Sequence, residues 1–519
     1  MSDAFDRIAQ RLERADLRIW AVAASLLLSV YAGFTVPVPN DDAFVYIRTA
    51  QLFQQDGIAA AFDHYAWAGY SVLIGLTAAA GLELFTAAYL LNGLFFAILT
   101  FAFVSICREF SQDRFLLALA ALTILLFPEI NEYRFQILRD SGFWAFVMLG
   151  MWWLIRYGAE GSWKSCLYYC GALLLAAIFR PEAMLYLLAA PLCLLFDRRH
   201  ERAERYLLCF RVQGVAVSAL VICFLAGLAF NLNLFQQAAA LASAYAPFLQ
   251  SLFDPGGQEM AAMAEAIFGE HAATYSGRYL PFFLLAGLMV ILAAELLYAV
   301  GMPFSLILIW GCWKKWLLPD RDMALPVIAF TVVNLLVVLA FLLVTRYLTS
   351  RYAMVFSLGL ALAVPFTARE MLARIAPGTR LAAGNRLAAG NRLAPGLLVL
   401  FFVFSAVDSY YTFGRSKSYI GDAVEWLNDN SGETAQLLTN NRAVAYNSGM
   451  VAEYDQVQPR LTRQQVLAMA PGDLVVVEAS AAIEQLFAQP DIAELLEPAI
   501  TLPDAQEPRM RIYQRTIPD

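Results

Sequence analysis

Residues 17–46 read LRIWAVAASLLLSVYAGFTVPVPNDDAFVY. The run 17–36 is apolar and long enough to cross the hydrocarbon core of a bilayer as one helix. Asp41 and Asp42 follow at the water-facing end of that predicted helix, at the depth of a lipid head group. A membrane enzyme would hold a general base there. The alternative is structural, because an Asp before an amphipathic stretch can cap a helix and suit its dipole.

The composition is that of a multi-pass membrane protein. Of the 519 residues, 60% are hydrophobic and 15% are charged, and the mean hydropathy is +0.58. Apolar runs of spanning length recur along the chain, and they predict about eleven transmembrane helices. None of the seven cysteines lies in a Cys-x-x-Cys motif or in the C-terminal region. Neither a disulfide framework nor a zinc site is therefore indicated.

Charge bias predicts an orientation in the membrane. Three arginines precede the first span and a fourth lies at its start (Arg7, Arg11, Arg14 and Arg18), and five more lie in the loop 197–211. Short basic loops stay on the cytoplasmic side, so the N-terminus is predicted inside and Asp41 outside. The apolar segment 70–84 is interpreted as a helix embedded at the outer surface, because a crossing there would put the later basic loops on the wrong side.

These assignments predict a mainly α-helical polytopic membrane protein with a small soluble α/β domain. The membrane domain is residues 1–413 and carries two long outer loops, 37–84 with the acidic pair and 233–278. The domain 414–519 is predicted outside. It has a helix pattern at 422–428 and strand patterns at 436–439, 474–477 and 511–514. No catalytic motif stands out in it.

Two further groups of charged residues fall on the predicted outer face. The loop 128–140 carries Glu132, Arg139 and Asp140. These residues form either one wall of a site or an ordinary wet loop with weak ion pairs. The stretch Arg180-Pro181-Glu182 joins two short spans. Charges so near the hydrocarbon are costly, so they are either functional or neutralise each other.

The third group on this face is the stretch from Arg346-Tyr347 to Arg351-Tyr352, between two late spans. A guanidinium binds phosphate with a rigid fork of donors. Arginine also anchors helices at the interface by extending its charge to water. His64, on the first outer loop, is by default a surface histidine. Acids beside phosphate-binding arginines fit a transfer reaction in which the base takes a proton from an acceptor hydroxyl.

The order of these segments resembles the membrane glycosyltransferases of fold type C (GT-C). The closest likeness is to their protein O-mannosyltransferase and aminoarabinose-transferase branch. The resemblance rests on the acidic pair Asp41-Asp42 followed by His64 and an embedded apolar helix. It also rests on Arg180-Pro181-Glu182 at the start of a span and on the late stretch 346–352. It covers most of residues 17–413.

The resemblance implies a GT-C fold and transfer of a sugar, with inversion, from a polyprenyl-phosphate donor. The acceptor would be a glycan, a lipid or a protein. Asp41 would be the general base, with Asp42 beside it. The residues that would position the acceptor or a metal are Glu132, Arg139, Asp140 and His64, and a divalent cation is left open. The residues that would hold the donor phosphate are Arg346, Arg351, Arg180 and Tyr347.

The predicted location is the inner membrane of a bacterium, with the active site and the C-terminal domain in the periplasm. Membrane lipids surround the helices, and we expect no nucleic-acid partner. Two other classes fit the composition. One is a membrane transporter, for which Glu295 in an otherwise apolar run is the favourable feature. The other is a non-catalytic membrane scaffold whose outer tail binds a partner.

Overall fold

The computed structural model describes residues 16–36, 38–229, 243, 246, 258–375, 393–411, 417–432, 434–504 and 508–516. Arg7, Arg11, Arg14 and most of the first half of the predicted outer loop 233–278 lie outside the described residues. The chain divides into two compact units. The first comprises Met1–Ser29, Asn92–Arg134 and Arg139–Tyr411, and the second comprises Val30–Leu91, Phe135–Leu138 and Thr412–Asp519. The predicted domain boundary at residue 413 stays a prediction.

Helices make up most of the chain before the C-terminal segment. In chain order they are α1 (Leu17–Thr35), α2 (Asp41–Asp56), α3 (Ile58–His64), α4 (Gly69–Ala78), α5 (Leu84–Phe110), α6 (Arg114–Leu125), α7 (Pro128–Glu132), α8 (Asp140–Glu160), α9 (Trp163–Phe179), α10 (Ala183–Ala189), α11 (Arg202–Ala229), α12 (Gln258–Phe268), α13 (Glu270–Ser276), α14 (Leu280–Val300), α15 (Met302–Lys314), α16 (Leu325–Thr345), α17 (Met354–Ala361), α18 (Val364–Ile375) and α19 (Leu393–Tyr410). The mainly helical class is confirmed.

Six helical stretches in the described residues are long and apolar enough to cross a membrane. They are Leu17–Thr35, Leu84–Phe110, Arg202–Leu225, Glu270–Val300, Leu325–Thr345 and Ser350–Ala373. The pair Arg114–Leu125 and Pro128–Phe135, bent by 49°, passes the same test together and would be a seventh. The chain therefore has the helices of a multi-pass membrane protein. The number of about eleven spans stays a prediction.

Large apolar side chains are exposed along these helices. Phe34 on α1 is 87% exposed, and Phe282 and Val290 on α14 are 71% and 69% exposed. Contiguous apolar surface of this kind is unfavourable in water and is stable against lipid tails. The exposure supports the membrane assignment independently of helix length.

The helix within the predicted embedded segment 70–84 is short. It is α4, which covers only Gly69–Ala78. At about 1.5 Å per residue such a helix extends about 15 Å, half of a hydrocarbon core. It is too short to cross a bilayer by itself, which agrees with the interpretation of this segment as non-crossing.

The C-terminal segment forms a four-stranded sheet in the order β1-β2-β4-β3. Its elements are α20 (Ser418–Asn430), β1 (Leu437–Thr439), α21 (Arg442–Ser448), α22 (Arg463–Leu467), β2 (Leu474–Glu478), α23 (Ala481–Phe487), α24 (Pro490–Ala493), β3 (Leu496–Leu502) and β4 (Met510–Arg515). The β1–β2 pair is parallel, and the β2–β4 and β3–β4 pairs are antiparallel. The small α/β architecture and the three strand patterns are confirmed.

The sequence pattern does not predict β3. This strand lies at the edge of the sheet and contains Pro498, with a register shift between Pro498 and Ile500. Proline and irregular pairing are tolerated at an edge, where one side of the strand makes no ladder. They remove the clean alternation by which a strand is recognised in sequence.

A cluster of aromatic rings fixes the helix that carries the acidic pair. Phe44 on α2 is fully buried. Its ring centroid lies 5.7 Å from that of Phe85, 5.6 Å from that of Tyr446 and 6.4 Å from that of Tyr454. Aromatic pairs at these separations contribute stability beyond the area that they bury. The loop after the first span and the C-terminal segment therefore share one hydrophobic core.

Replacing Phe44 with Ala should destabilise this core by about 3–5 kcal/mol, because it removes a fully buried ring and leaves a cavity. The measurement is the unfolding of the detergent-solubilised protein by heat or denaturant. Phe34→Ala is the matched control, since that ring is 87% exposed. Equal destabilisation by the two substitutions would show that Phe44 does not anchor the core.

Candidate functional site

Asn40 sets the backbone turn that presents the acidic pair. It occupies the N-cap position of α2, and Asp41 and Asp42 fill the first turn. The Asn40 side chain accepts a hydrogen bond from the Ile137 amide at 2.8 Å and donates to the Ile137 carbonyl at 3.2 Å. Asn40, and not an Asp of the pair, is the N-cap residue, so the alternative that the pair caps the helix is wrong. Both acids still suit the positive end of the helix dipole.

The acidic pair lines a cavity of about 730 Å³ in the second unit. Asp41, which is exposed, and Asp42, which is half-buried, line the cavity from the first turn of α2. Three cations from the C-terminal segment also line it: Lys417, Arg442 and Arg509. A cavity of this volume is in the usual range for small-molecule sites. Charges of both signs face the same space.

Much of the cavity wall lies where the strands β1 and β2 end. Asn440, Asn441 and Arg442 directly follow β1, and Ala479 and Ser480 directly follow β2, and all five line the cavity. These residues lie at the carboxyl ends of the parallel strand pair, which is the end of the strands at which α/β sheets bind ligands. Sequence reasoning missed these residues. The polar run Asn440-Asn441-Arg442 directly after β1 was the signal that could have found that part of the wall.

Two hydrogen-bond groups order the cavity wall. The Glu478 carboxylate accepts from the Tyr419 hydroxyl at 2.8 Å and from the Asn441 side-chain amide at 3.2 Å. Arg442 donates from Nε to the Val457 carbonyl at 3.2 Å and from Nη1 to the Asp41 carbonyl at 3.3 Å. The C-terminal segment is thus bonded to the main chain of the acidic pair itself. Carboxylates can take a proton here, and guanidinium groups can hold an anion.

His64 is held between two protein groups. Its Nε2 lies 2.9 Å from Asp455 Oδ2, and its Nδ1 lies 2.9 Å from Thr49 Oγ1. Thr49 is fully buried and Asp455 is 6% exposed. His64 is not among the residues that line the cavity of the acidic pair. The geometry makes it a link between α3 and the C-terminal segment, and a role in acceptor or metal positioning stays a prediction.

In the first unit, Asp140 and Arg180 form a buried ion pair. Asp140 is 1% exposed and Arg180 is 5% exposed. Glu182, which is close to Arg180 in sequence, lies farther away, at 3.7 Å from the same guanidinium. Asp140 is therefore the closer counter-charge of Arg180. The structure brings together residues from two of the predicted outer segments. Asp140 and Arg180 meet as an ion pair, and their role in sugar transfer stays a prediction.

The late arginine segment reaches the same cluster. The Arg180 guanidinium lies 4.5 Å from the ring centroid of Tyr352, and the Arg351 guanidinium lies 5.4 Å from it. The Tyr133 hydroxyl is 2.9 Å from Ser350 Oγ. Residues of the loop 128–140, the Arg-Pro-Glu stretch and the late arginine segment are thus neighbours. That they form one polar site stays a prediction. Arg139 takes the N-cap position of α8 beside them.

Arg346 lines a separate, largely apolar cavity of about 290 Å³ in the first unit. The other lining residues come mainly from α14, with Leu343 from α16. Arg346 ends α16 in the left-handed region, with φ 57°. That conformation costs a non-glycine residue about 1–3 kcal/mol and often marks functional positions. Tyr347, the next residue, is 51% exposed.

The remaining acid of the predicted positioning group, Glu132, is exposed. It lies near Glu129 and Asp408, and these carboxylates repel one another. In the described part of the chain, no group of three or more His, Cys, Asp or Glu residues is arranged to hold a metal ion. A divalent cation stays a prediction.

The chain matches no protein-family model and no curated protein. Among solved structures it is similar to the archaeal oligosaccharyltransferase AglB from Archaeoglobus fulgidus, in complex with an inhibitory peptide and a dolichol-phosphate. The two chains are 12% identical, and the TM-score is 0.47 over 89% of this chain and 69% of that chain. A likeness this distant assigns neither a family nor an activity, so GT-C membership stays a prediction.

Replacing Asp140 with Asn should destabilise the first unit by about 3–5 kcal/mol, because Arg180 then stays buried without its main counter-charge. The double variant Asp140→Asn/Arg180→Met should recover most of that loss. Unfolding in detergent measures both. The exposed pair Arg463–Asp491 is the control, and Asp491→Asn should cost less than about 1 kcal/mol. A stable Asp140→Asn variant would contradict a structural ion pair.

Replacing Asp455 with Ala should lower the stability of the second unit by about 1–3 kcal/mol, because His64 loses a buried hydrogen-bond partner. The measurement is again unfolding in detergent. Asp63→Ala changes an exposed acid next to His64 in the chain and should have little effect. If both variants unfold alike, the His64–Asp455 contact does not stabilise the unit.

Proposed function

We propose that the protein transfers a sugar from a polyprenyl-phosphate donor to an acceptor hydroxyl, with Asp41 as the general base. The observation that carries this proposal is the position of Asp41 and Asp42. They open the helix that follows the first apolar span, and they line a polar cavity of about 730 Å³. Asp41 is exposed to that space, so its carboxylate is available to a substrate.

The reaction needs one base and one leaving group. Asp41 takes the proton of the acceptor hydroxyl, and the oxygen attacks the anomeric carbon of the donor sugar. The bond from that carbon to the phosphate oxygen breaks, and the polyprenyl phosphate leaves with the electron pair. Attack opposite the leaving group inverts the anomeric centre. Asp42 is the next residue on the same helix turn and lines the same cavity beside the base.

The cavity of Arg346 supports a lipid-linked donor. Its mainly apolar lining suits an isoprenoid tail, and Arg346 among the lining residues suits a phosphate. Arg351 and Tyr347 lie in the same segment and are the other residues that we assign to the donor phosphate. Arg180 is engaged with Asp140, so its part is to hold the cluster together. The acceptor is a glycan, a lipid or a protein, on the periplasmic face of a bacterial inner membrane.

A membrane transporter is the second candidate, and one observation favours it. Glu129, Glu132, Glu295 and Asp408 all lie close enough to Tyr298 to interact electrostatically with it. They come from three segments, and Glu295 and Asp408 lie within the apolar helices α14 and α19. Ionisable residues in such positions mark ion or proton paths in transporters.

An Asp41→Asn variant tests the enzyme proposal. The purified full-length protein is incubated with a polyprenyl-phosphate sugar and candidate acceptors, and sugar transfer is measured. The variant should lose about 10²–10⁴-fold in rate, the usual contribution of a general base. Asp56→Asn, at the exposed end of the same helix, is the matched control and should keep its rate.

Unchanged turnover in Asp41→Asn would remove Asp41 as the base. A transporter would instead retain proton-coupled uptake into vesicles in Asp41→Asn and lose it in Glu129→Gln. A scaffold would show neither transfer nor uptake in the unsubstituted protein.

A further inference from the structure

The cavity of the acidic pair has a cationic side that the proposed reaction does not use. Lys417, Arg442 and Arg509 line it from three separate segments of the C-terminal region. Lys417 precedes α20, Arg442 begins α21 and Arg509 precedes β4. Tertiary folding alone brings these three cations to one space, because the chain between them is long.

The two arginines are fixed by the fold. The Arg509 main chain donates to the Leu502 carbonyl at 2.8 Å and accepts from the Ala479 amide at 2.8 Å, so it is held on both sides within the sheet. The Arg442 guanidinium is held by the carbonyl oxygens of Val457 and Asp41. A guanidinium has more N–H donors than these two bonds use. The remaining donors of Arg442 can serve a ligand.

The charge pattern defines the kind of ligand that fits. A purely anionic molecule would be repelled by the three carboxylates Asp41, Asp42 and Glu478, and a purely cationic one by the three basic residues. A ligand with an anionic group at one end and neutral hydroxyl groups at the other meets both sides favourably. Arginine holds phosphate with paired, charge-assisted hydrogen bonds, and carboxylates accept from sugar hydroxyls.

We propose that Lys417, Arg442 and Arg509 form an anion-binding subsite that holds a phosphate group on the acceptor while an acceptor hydroxyl reaches Asp41. The acceptor of the reaction is therefore an anionic sugar or head group, and the C-terminal segment selects it. This substrate class rests on the proposed function. The binding of phosphate at the subsite does not, since it requires no turnover.

Binding of phosphorylated probes to the full-length protein in detergent tests the subsite. The soluble probe is glucose 6-phosphate, compared with glucose. The lipid probe is a short-chain polyprenyl phosphate, compared with the polyprenol. Glucose 6-phosphate should bind at least 10-fold more tightly than glucose, and the double variant Arg442→Gln/Arg509→Gln should remove that preference. Added salt should weaken the preference, because the contact is ionic.

The control is the double variant Arg463→Gln/Arg511→Gln, which removes two arginines of the same segment that pair with Asp491 and Glu484 and do not line the cavity. It should bind the probes like the unsubstituted protein. If the Arg442 and Arg509 variant unfolds, Lys417→Gln tests the subsite instead. Lys417 is exposed and lies outside the helices and strands, so its replacement should leave the fold intact. That variant should weaken glucose 6-phosphate binding several-fold.

Each outcome bears on the proposal. Loss of binding of glucose 6-phosphate identifies an acceptor phosphate. Loss for the polyprenyl phosphate alone supports an anion subsite but assigns it to the carrier lipid and overturns the acceptor assignment. Unchanged binding of both probes in the Arg442, Arg509 and Lys417 variants overturns the subsite. Asp41→Asn should lose transfer but keep the preference for glucose 6-phosphate over glucose, because the basic residues and not Asp41 hold the phosphate. Failure of the catalytic proposal therefore leaves the binding result standing.

Discussion

The burial of Phe44 is the constraint on which the candidate site depends. Phe44 lies one turn after Asp41 on the same helix, and its ring is enclosed by aromatic residues that include Tyr446 and Tyr454 of the C-terminal segment. A helix fixed by a buried ring one turn away cannot rotate its first turn without opening the core. The same packing brings the C-terminal segment against the acidic pair, so one hydrophobic core builds both sides of the cavity.

Charged groups in this protein fall into two physical classes. Asp140 and Arg180 are buried against each other, and Asp455 is buried against His64. Charges withdrawn from water need such partners, and removing one partner is costly. Asp41, by contrast, is exposed to a cavity that it shares with basic residues. Groups of the first kind hold elements together, whereas groups of the second kind can act on a ligand. The distinction directs the search for catalysis to the acidic pair.

Local sequence patterns predicted several features because each depends on neighbours in the chain. Spanning length and apolarity predicted the first membrane helix, and short runs of strand-forming residues between turn residues predicted β1, β2 and β4. The acidic pair stood out by its place directly after a span. The edge strand β3 escaped because proline and a bulge interrupt its pattern. The contact of His64 with Asp455 was not predicted either, since the two residues are distant in sequence and no spacing rule connects them.

The sequence by itself determined the class of the protein, a mainly helical chain with apolar spans, an acidic pair at the end of the first span and a small α/β segment. Hydropathy and periodicity are properties of consecutive residues, so they can be read without a fold. Only the tertiary structure decided that Arg442 and Arg509 share a cavity with Asp41, and that Arg180 neutralises Asp140 rather than Glu182 alone. These contacts join segments far apart in the chain, and they form only when burial of apolar surface brings those segments together.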